Sequence, residues 1–193
     1  DDEEHDEEEE TGHDHGAMDP HFWMDPLRMK DAATTVRQQF VDIDSDSATA
    51  YAENTDSFET ALDDLHEQLE TLVAEASKET LLVAGHDALS YFGDRYDIQV
   101  ESLTGVSPDD SPTTTDISEA QEIIEEHDLQ YIVADPLESQ TAAEQLVAET
   151  DVEAVLDLTA MAGLKEEWSD NNWGYIEIME NVNLPTLEDA LDA

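Results

Sequence analysis

The fold of this chain is decided by the stretch Thr80-Leu81-Leu82-Val83-Ala84, a short and continuously apolar run that Gly85 and His86 follow. An apolar run of this length is typical of a strand buried on both faces, as strands of parallel sheets are. Residues 87 to 95 then have a helical pattern. The stretch therefore predicts a β-α unit with His86 at the carboxyl end of its strand.

Strands and helices alternate from this unit to the end of the chain. Helical patterns of about ten residues between strands are typical of β-α-β units and a parallel sheet. We expect an α/β lobe over residues 79–193, and ligands bind such sheets beyond the carboxyl ends of strands, where Asp157 also lies. The predicted elements are strands at 98–103, 130–134 and 152–157 and helices at 116–127, 139–149 and 172–191, with a polar loop at 107–115.

Two helices are predicted upstream of the lobe. Pro26 suits a first helical turn, and apolar residues three and four apart continue to Phe40. After a polar turn, an apolar stripe from Tyr51 to Val73 predicts one helix of about eight turns that reaches Ala76. The expected division is a low-complexity loop at 1–18, a segment at 19–46, a long connecting helix at 47–78 and the lobe at 79–193.

The charge of the chain is extreme, since 52 acidic side chains face 6 basic ones among 193 residues, a net charge of −46. Disorder is the ordinary consequence of such charge, but 39% of the residues are hydrophobic and recur periodically, which indicates an acidic coat over a folded body. Molar salt shortens the Debye length to roughly 3 Å, so the composition predicts a halophilic source. Nucleic acid is excluded as a partner because phosphate contacts need clustered Lys and Arg.

The absence of cysteine restricts any metal site to nitrogen and oxygen ligands. No segment approaches the roughly 18 to 20 apolar residues of a membrane span, and no signal peptide is visible. There is also no His-Glu-x-x-His, phosphate loop or nucleophile elbow, which argues against an enzyme.

A metal-binding pattern stands at the start of the chain. Histidine nitrogens and carboxylate oxygens capture zinc and similar ions, and His5, His13 and His15 lie in an acidic run that we expect to bind metal weakly. Next comes His21, bracketed by two Asp-Pro pairs in Asp19-Pro20-His21-Phe22-Trp23-Met24-Asp25-Pro26.

This passage resembles the metal-specific (zinc or manganese) solute-binding proteins of ABC transporters, cluster A-I. They carry a mobile His/Asp-rich loop followed by Asp-Pro-His-x-Trp-x-Asp-Pro. The strand before His86, followed by His-x-x-x-x-Tyr-Phe, resembles the family's second motif. The segment Val155-Leu156-Asp157-Leu158 resembles its third, although Leu158 replaces the family's proline.

The resemblance implies a fixed metal site made of His21, His86 and Asp157, completed by a histidine that this chain lacks. Three nitrogens and an aspartate suit Zn2+ better than the alternative, Mn2+. The implied architecture is two periplasmic-binding-protein-like α/β lobes joined by a long helix. Of these, this chain has the helix, the second lobe and, at 19–46, a remnant of the first lobe that carries the metal motif. The first lobe is largely missing, so a C-terminal fragment, a truncated product or one piece of a split chain is expected.

The implied mechanism is capture of a divalent metal ion at the extracellular face of the membrane and delivery to an ABC permease. Two alternatives remain from the residues. A zinc-dependent hydrolase is one, because three ligands and a water are also the hydrolase arrangement. A surface adhesion or interaction protein on the same scaffold is the other.

Overall fold

A computed structural model describes residues 19–193 of the chain. The helices and strands follow the predicted order, and the long helix α2 has 28 residues, close to the expected eight turns. The elements are α1 (Pro26–Ile43), α2 (Ala48–Glu75), β1 (Thr80–His86), α3 (Ser90–Tyr96), β2 (Gln99–Thr104), α4 (Thr114–His127), β3 (Tyr131–Ala134), α5 (Thr141–Glu149), β4 (Ala154–Asp157), α6 (Glu166–Asp170), α7 (Tyr175–Ile178) and α8 (Leu184–Leu191).

The four strands form one parallel sheet in the order β2-β1-β3-β4. The predicted α/β class with a parallel sheet and a long helix is therefore confirmed. The chain moves outward from β1 to β2 and then crosses back to place β3 on the other side of β1. The loops after β1 and β3 diverge at this switch point, which opens a crevice at their carboxyl ends.

Two apolar layers cover the sheet, because successive side chains of β1 point to opposite faces. Leu81 and Val83 pack under α2, α3 and α8, whereas Leu82 and Ala84 pack under α4 and α5. Helices on both faces explain why β1 reads as an unbroken apolar run rather than an alternating one.

The end of the chain differs from its prediction. In place of one helix over 172–191, the structure has α7, a π-helical turn at Met179–Asn183 and then α8, and it adds the short α6. Pro185, at the start of α8, has no N–H for the helical ladder, so the backbone pattern changes just before it. The buried side chain of Asn183 uses the turn to bond Thr159 N and Thr159 O, both at 2.9 Å.

Segment 19–25, which precedes α1, is bonded to the α/β lobe. The Tyr91 hydroxyl donates to Asp19 O at 3.2 Å, and the indole Nε1 of Trp23 donates to Ala160 O at 2.9 Å. The hydroxyl of Tyr175 donates to Trp23 O at 2.6 Å, and burial raises the pKa of this tyrosine, which keeps the donor protonated. These bonds hold the segment over the carboxyl end of the sheet. Among the helices of residues 19–193, none is both long and apolar enough to cross a bilayer.

Candidate metal centre

His86 is placed by an irregularity at the end of β1. Val83 pairs with Ser102 and His86 with Thr104, so β1 has one more residue than β2 over this interval. Bulges of this kind re-aim the side chains that follow them. After the bulge, the Asp87 side chain accepts hydrogen bonds from Leu89 N and Ser90 N and turns the chain into α3. The result is a His86 side chain that is only 5% exposed at the crevice.

His21 is placed by the Asp-Pro-His motif itself. A single 3₁₀ turn at Phe22–Met24 follows this motif. The imidazole ring of His21 contacts the Trp23 ring edge-to-face, with ring centroids 5.3 Å apart. The carboxylate Oδ1 of Asp19 accepts from both the backbone N of His21, at 2.9 Å, and its ring Nδ1, at 2.8 Å. His21 is 6% exposed as a result. The second oxygen of Asp19 is buried and finds no hydrogen-bond partner among residues 19–193.

The two histidines face each other through Nε2, with 3.3 Å between these atoms. Each ring has a carboxylate beside Nδ1: Asp19 accepts a hydrogen bond from Nδ1 of His21 at 2.8 Å, and Glu138 Oε1 lies 3.0 Å from Nδ1 of His86 as an ion-pair contact. An ionised carboxylate can only accept, so in a neutral His21 ring the hydrogen of its bond to Asp19 is the Nδ1 hydrogen. The negative charge of Glu138 beside Nδ1 of His86 favours the same tautomer in that ring. Both Nε2 atoms then present lone pairs to the same point, an arrangement that a shared cation stabilises.

The donor set fits zinc in chemistry and in spacing. Histidines that bind metals commonly have a carboxylate on the far ring nitrogen, which fixes the ring and makes it a stronger ligand. Two nitrogens that each lie about 2.0–2.1 Å from a tetrahedral zinc are about 3.3–3.4 Å apart. The observed separation of 3.3 Å matches this value.

Asp157, the third ligand implied by the resemblance, is not brought to this pair. Its carboxylate is 55% exposed and accepts from Lys165 Nζ at 2.8 Å. The following residues, Leu158 and Thr159, are buried instead. Within residues 19–193, no three or more His, Asp or Glu side chains are grouped to hold one ion.

The other histidines stand apart from the pair. The ring of His66 shares a hydrogen bond with the Tyr96 hydroxyl at 2.9 Å, and that of His127 shares one with Thr80 Oγ1 at 3.1 Å. His5, His13 and His15, the expected weak ligands, lie outside the described residues.

Sequence reasoning missed Glu138. It lies in the loop between β3 and α5 of an acid-rich chain, where a single glutamate gives no signal. The strand prediction could have directed attention to this loop, because it begins at the carboxyl end of the strand beside β1. Asp19 is different, since it belongs to the quoted motif.

Comparisons with known proteins agree with the fold and identify the family. The model of the family described as zinc-uptake complex component A, periplasmic, matches residues 1–190. The high-affinity zinc uptake system protein ZnuA of Bacillus subtilis (strain 168) is 29% identical over 175 residues, which cover 91% of this chain and 54% of ZnuA. This chain thus spans about half the length of that relative.

Solved structures of other proteins share the fold of this chain. The Zn(II)-bound form of a mutant variant of AdcAII from Streptococcus pneumoniae superposes with a TM-score of 0.78 at 25% identity, over 90% of this chain and 61% of AdcAII. The laminin-binding protein Lbp of Streptococcus pyogenes superposes with a TM-score of 0.79 over 90% of this chain and 64% of its own, at 22% identity, a likeness of fold alone. From its sequence over residues 1–190, this chain belongs to the zinc-uptake complex component A family.

Proposed function

We propose that this chain binds a divalent transition metal, zinc in first place, between His21 and His86, as part of the extracytoplasmic binding component of an ABC transporter. The metal is cargo that is captured and handed to a membrane permease, so the chain needs no bond chemistry. Support comes from the family match and from relatives named as a high-affinity zinc uptake protein and a zinc-binding lipoprotein.

One observation carries the proposal: two buried imidazoles bring their Nε2 atoms to 3.3 Å from each other, and a carboxylate lies beside Nδ1 of each ring. Nitrogen donors also favour zinc over manganese, which prefers oxygen ligands. The pair therefore supports zinc, with manganese as the weaker alternative.

Two nitrogens fill half of a tetrahedral zinc site. The remaining positions in this chain would be taken by water, or by groups from a further part of the protein, as the greater length of ZnuA suggests. We therefore expect this chain to bind zinc with a dissociation constant on the order of micromolar, since each absent ligand removes several kcal/mol. Nanomolar binding would contradict a half-complete site.

The test is calorimetric titration of zinc, and separately manganese, into the full chain at about molar salt. His21→Ala and His86→Ala should each reduce the affinity of the tighter phase by at least about 100-fold, because each removes one of two fixed nitrogens. His66→Ala is the matched control, since His66 bonds Tyr96 away from the pair. A triple variant, His5→Ala/His13→Ala/His15→Ala, separates any binding by the acidic run.

Unchanged zinc binding in His86→Ala would refute the fixed site. Loss of all binding in the triple variant alone would assign metal capture to the acidic run instead. The transport role is tested in cells: a strain without this gene should accumulate less zinc under chelation, and the His86→Ala gene should fail to restore uptake.

A further inference from the structure

Glu138 approaches His86 from a different part of the fold, the loop that follows β3. Its Oε1 lies 3.0 Å from Nδ1 of His86, and its side chain is 27% exposed whereas that of His86 is 5% exposed. We propose that Glu138 is a positioning residue for the metal pair: it keeps His86 in the Nδ1–H tautomer, so that the two histidines cannot hydrogen-bond to each other. This inference rests on the proposed function.

The competing state is visible in the geometry of the pair. At 3.3 Å, Nε2 of His86 is within hydrogen-bond distance of Nε2 of His21. If the hydrogen of His86 moved from Nδ1 to Nε2, it would be donated to His21, and both lone pairs that a metal needs would be engaged. A negative charge beside Nδ1 favours the tautomer with hydrogen on that atom, and for His86 that charge is the Glu138 carboxylate, 3.0 Å away.

The two carboxylates differ in how they are held. Asp19 is two residues from His21 and also accepts from its backbone N, so their contact is local. Glu138 reaches His86 from a separate loop and packs directly over Gly85, where an added Cβ would lie 3.4 Å from its Oε2. The orientation of His86 therefore depends on the conformation of that loop.

Asp135 fixes the loop that carries Glu138. Its backbone O accepts from Glu138 N at 3.0 Å, and its buried carboxylate accepts from Leu137 N at 2.9 Å through Oδ1. Through Oδ2 it accepts from Thr159 Oγ1 at 3.0 Å and from Ala160 N at 2.8 Å. Because the hydrogen bonds of Asp135 are to protein groups, Asp135 holds the loop in place, whereas Glu138 contacts His86 directly.

The experiment measures the tautomer of His86 and, independently, the zinc affinity. Full-length chain with 15N-labelled histidine is examined by NMR after treatment with a chelator, and the His86 signals are assigned from their loss in His86→Ala. In the wild type we expect hydrogen on Nδ1 and none on Nε2. In Glu138→Ala we expect an Nε2–H population and a fall in zinc affinity of about 10- to 100-fold.

Glu138→Gln keeps the volume of the side chain but has an amide that can accept or donate. We expect a mixture of both tautomers in this variant, so it carries the test if Glu138→Ala does not fold. Glu144→Gln is the matched control, because Glu144 is an exposed residue of α5 and the substitution removes the same charge. It should leave the tautomer of His86 and the zinc affinity unchanged.

Two results would overturn the inference. One is a His86 that keeps hydrogen on Nδ1 alone in both Glu138 variants. The other is a lower zinc affinity without any change of tautomer, which would indicate a general disturbance of the loop. Both are distinct from failure of the proposed function, which is shown by unchanged zinc binding in His86→Ala whatever the Glu138 variants do.

Discussion

Arg95 donates a hydrogen bond from Nε to one oxygen of Asp25 at 2.9 Å, and its Nη2 lies 2.8 Å from the same oxygen in an ion pair. Asp25 is 1% exposed, and its other oxygen caps α1 by accepting from Leu27 N at 2.9 Å. The hydrogen bond to Asp25 raises the pKa of the Arg95 guanidinium. Since Arg95 lies in α3 and Asp25 in the segment of His21, this ion pair joins the two chain segments that supply the histidines.

Replacing Arg95 with Met should lower the free energy of unfolding by roughly 3 kcal/mol, because it leaves a buried carboxylate without its closest cation. Chemical denaturation at constant salt, followed by circular dichroism, measures the change. In the control Arg37→Met the partner Asp56 is 71% exposed, so a loss of less than about 1 kcal/mol is expected. Equal losses of unfolding free energy in both variants would show that the burial of Asp25 does not strengthen its ion pair with Arg95.

The stability of the protein should fall in alkaline solution because of Tyr175. Burial raises the pKa of this tyrosine above its ordinary value of 10.0, so in the unfolded chain it loses its proton at lower pH than in the folded protein. The contribution of the neutral hydroxyl is therefore complete below about pH 10 and is lost as the pH rises above that value. Unfolding free energies measured from about pH 8 to 12 should show this fall, with a smaller slope in Tyr175→Phe. Identical slopes would contradict the assignment.

Salt should stabilise the chain strongly. With 52 acidic and 6 basic side chains, repulsion between carboxylates opposes folding at low ionic strength. Raising KCl from about 0.1 M to about 1 M shortens the Debye length from about 10 Å to about 3 Å, so the thermal midpoint should rise steeply over this range. Calorimetric scans measure it. A midpoint that does not change with salt would refute the halophilic adaptation proposed from the composition.

Asp157→Asn should leave the zinc affinity of the chain within about twofold of the wild type, because this carboxylate is exposed and paired with Lys165. The same titration that tests the histidines measures this value. A loss of tenfold or more would restore Asp157 to the ligand role that the sequence resemblance implies.

Most of the elements and the places of His21 and His86 along the chain could be predicted because their signals are local, whereas their meeting in one site was implied by the family resemblance. The apolar run before His86 and the paired Asp-Pro motif around His21 each specify a conformation within a few residues. Glu138 could not be predicted, since its role comes from the loop after β3 meeting the bulge of β1, a tertiary relation. Asp157 shows the converse, because its motif has one altered residue, Leu158, and its carboxylate is exposed and paired with Lys165.

The bonds of segment 19–25 to the lobe have a consequence for the speed of metal capture. Tyr91, Tyr175 and Ala160 hold the segment through contacts between protein groups, so the spacing of His21 and His86 does not depend on a metal to draw the rings together. Ligands that are already oriented lose little conformational freedom when they bind. The association rate should then follow diffusion of the ion and exchange of its water shell, with no slower phase from rearrangement of the chain.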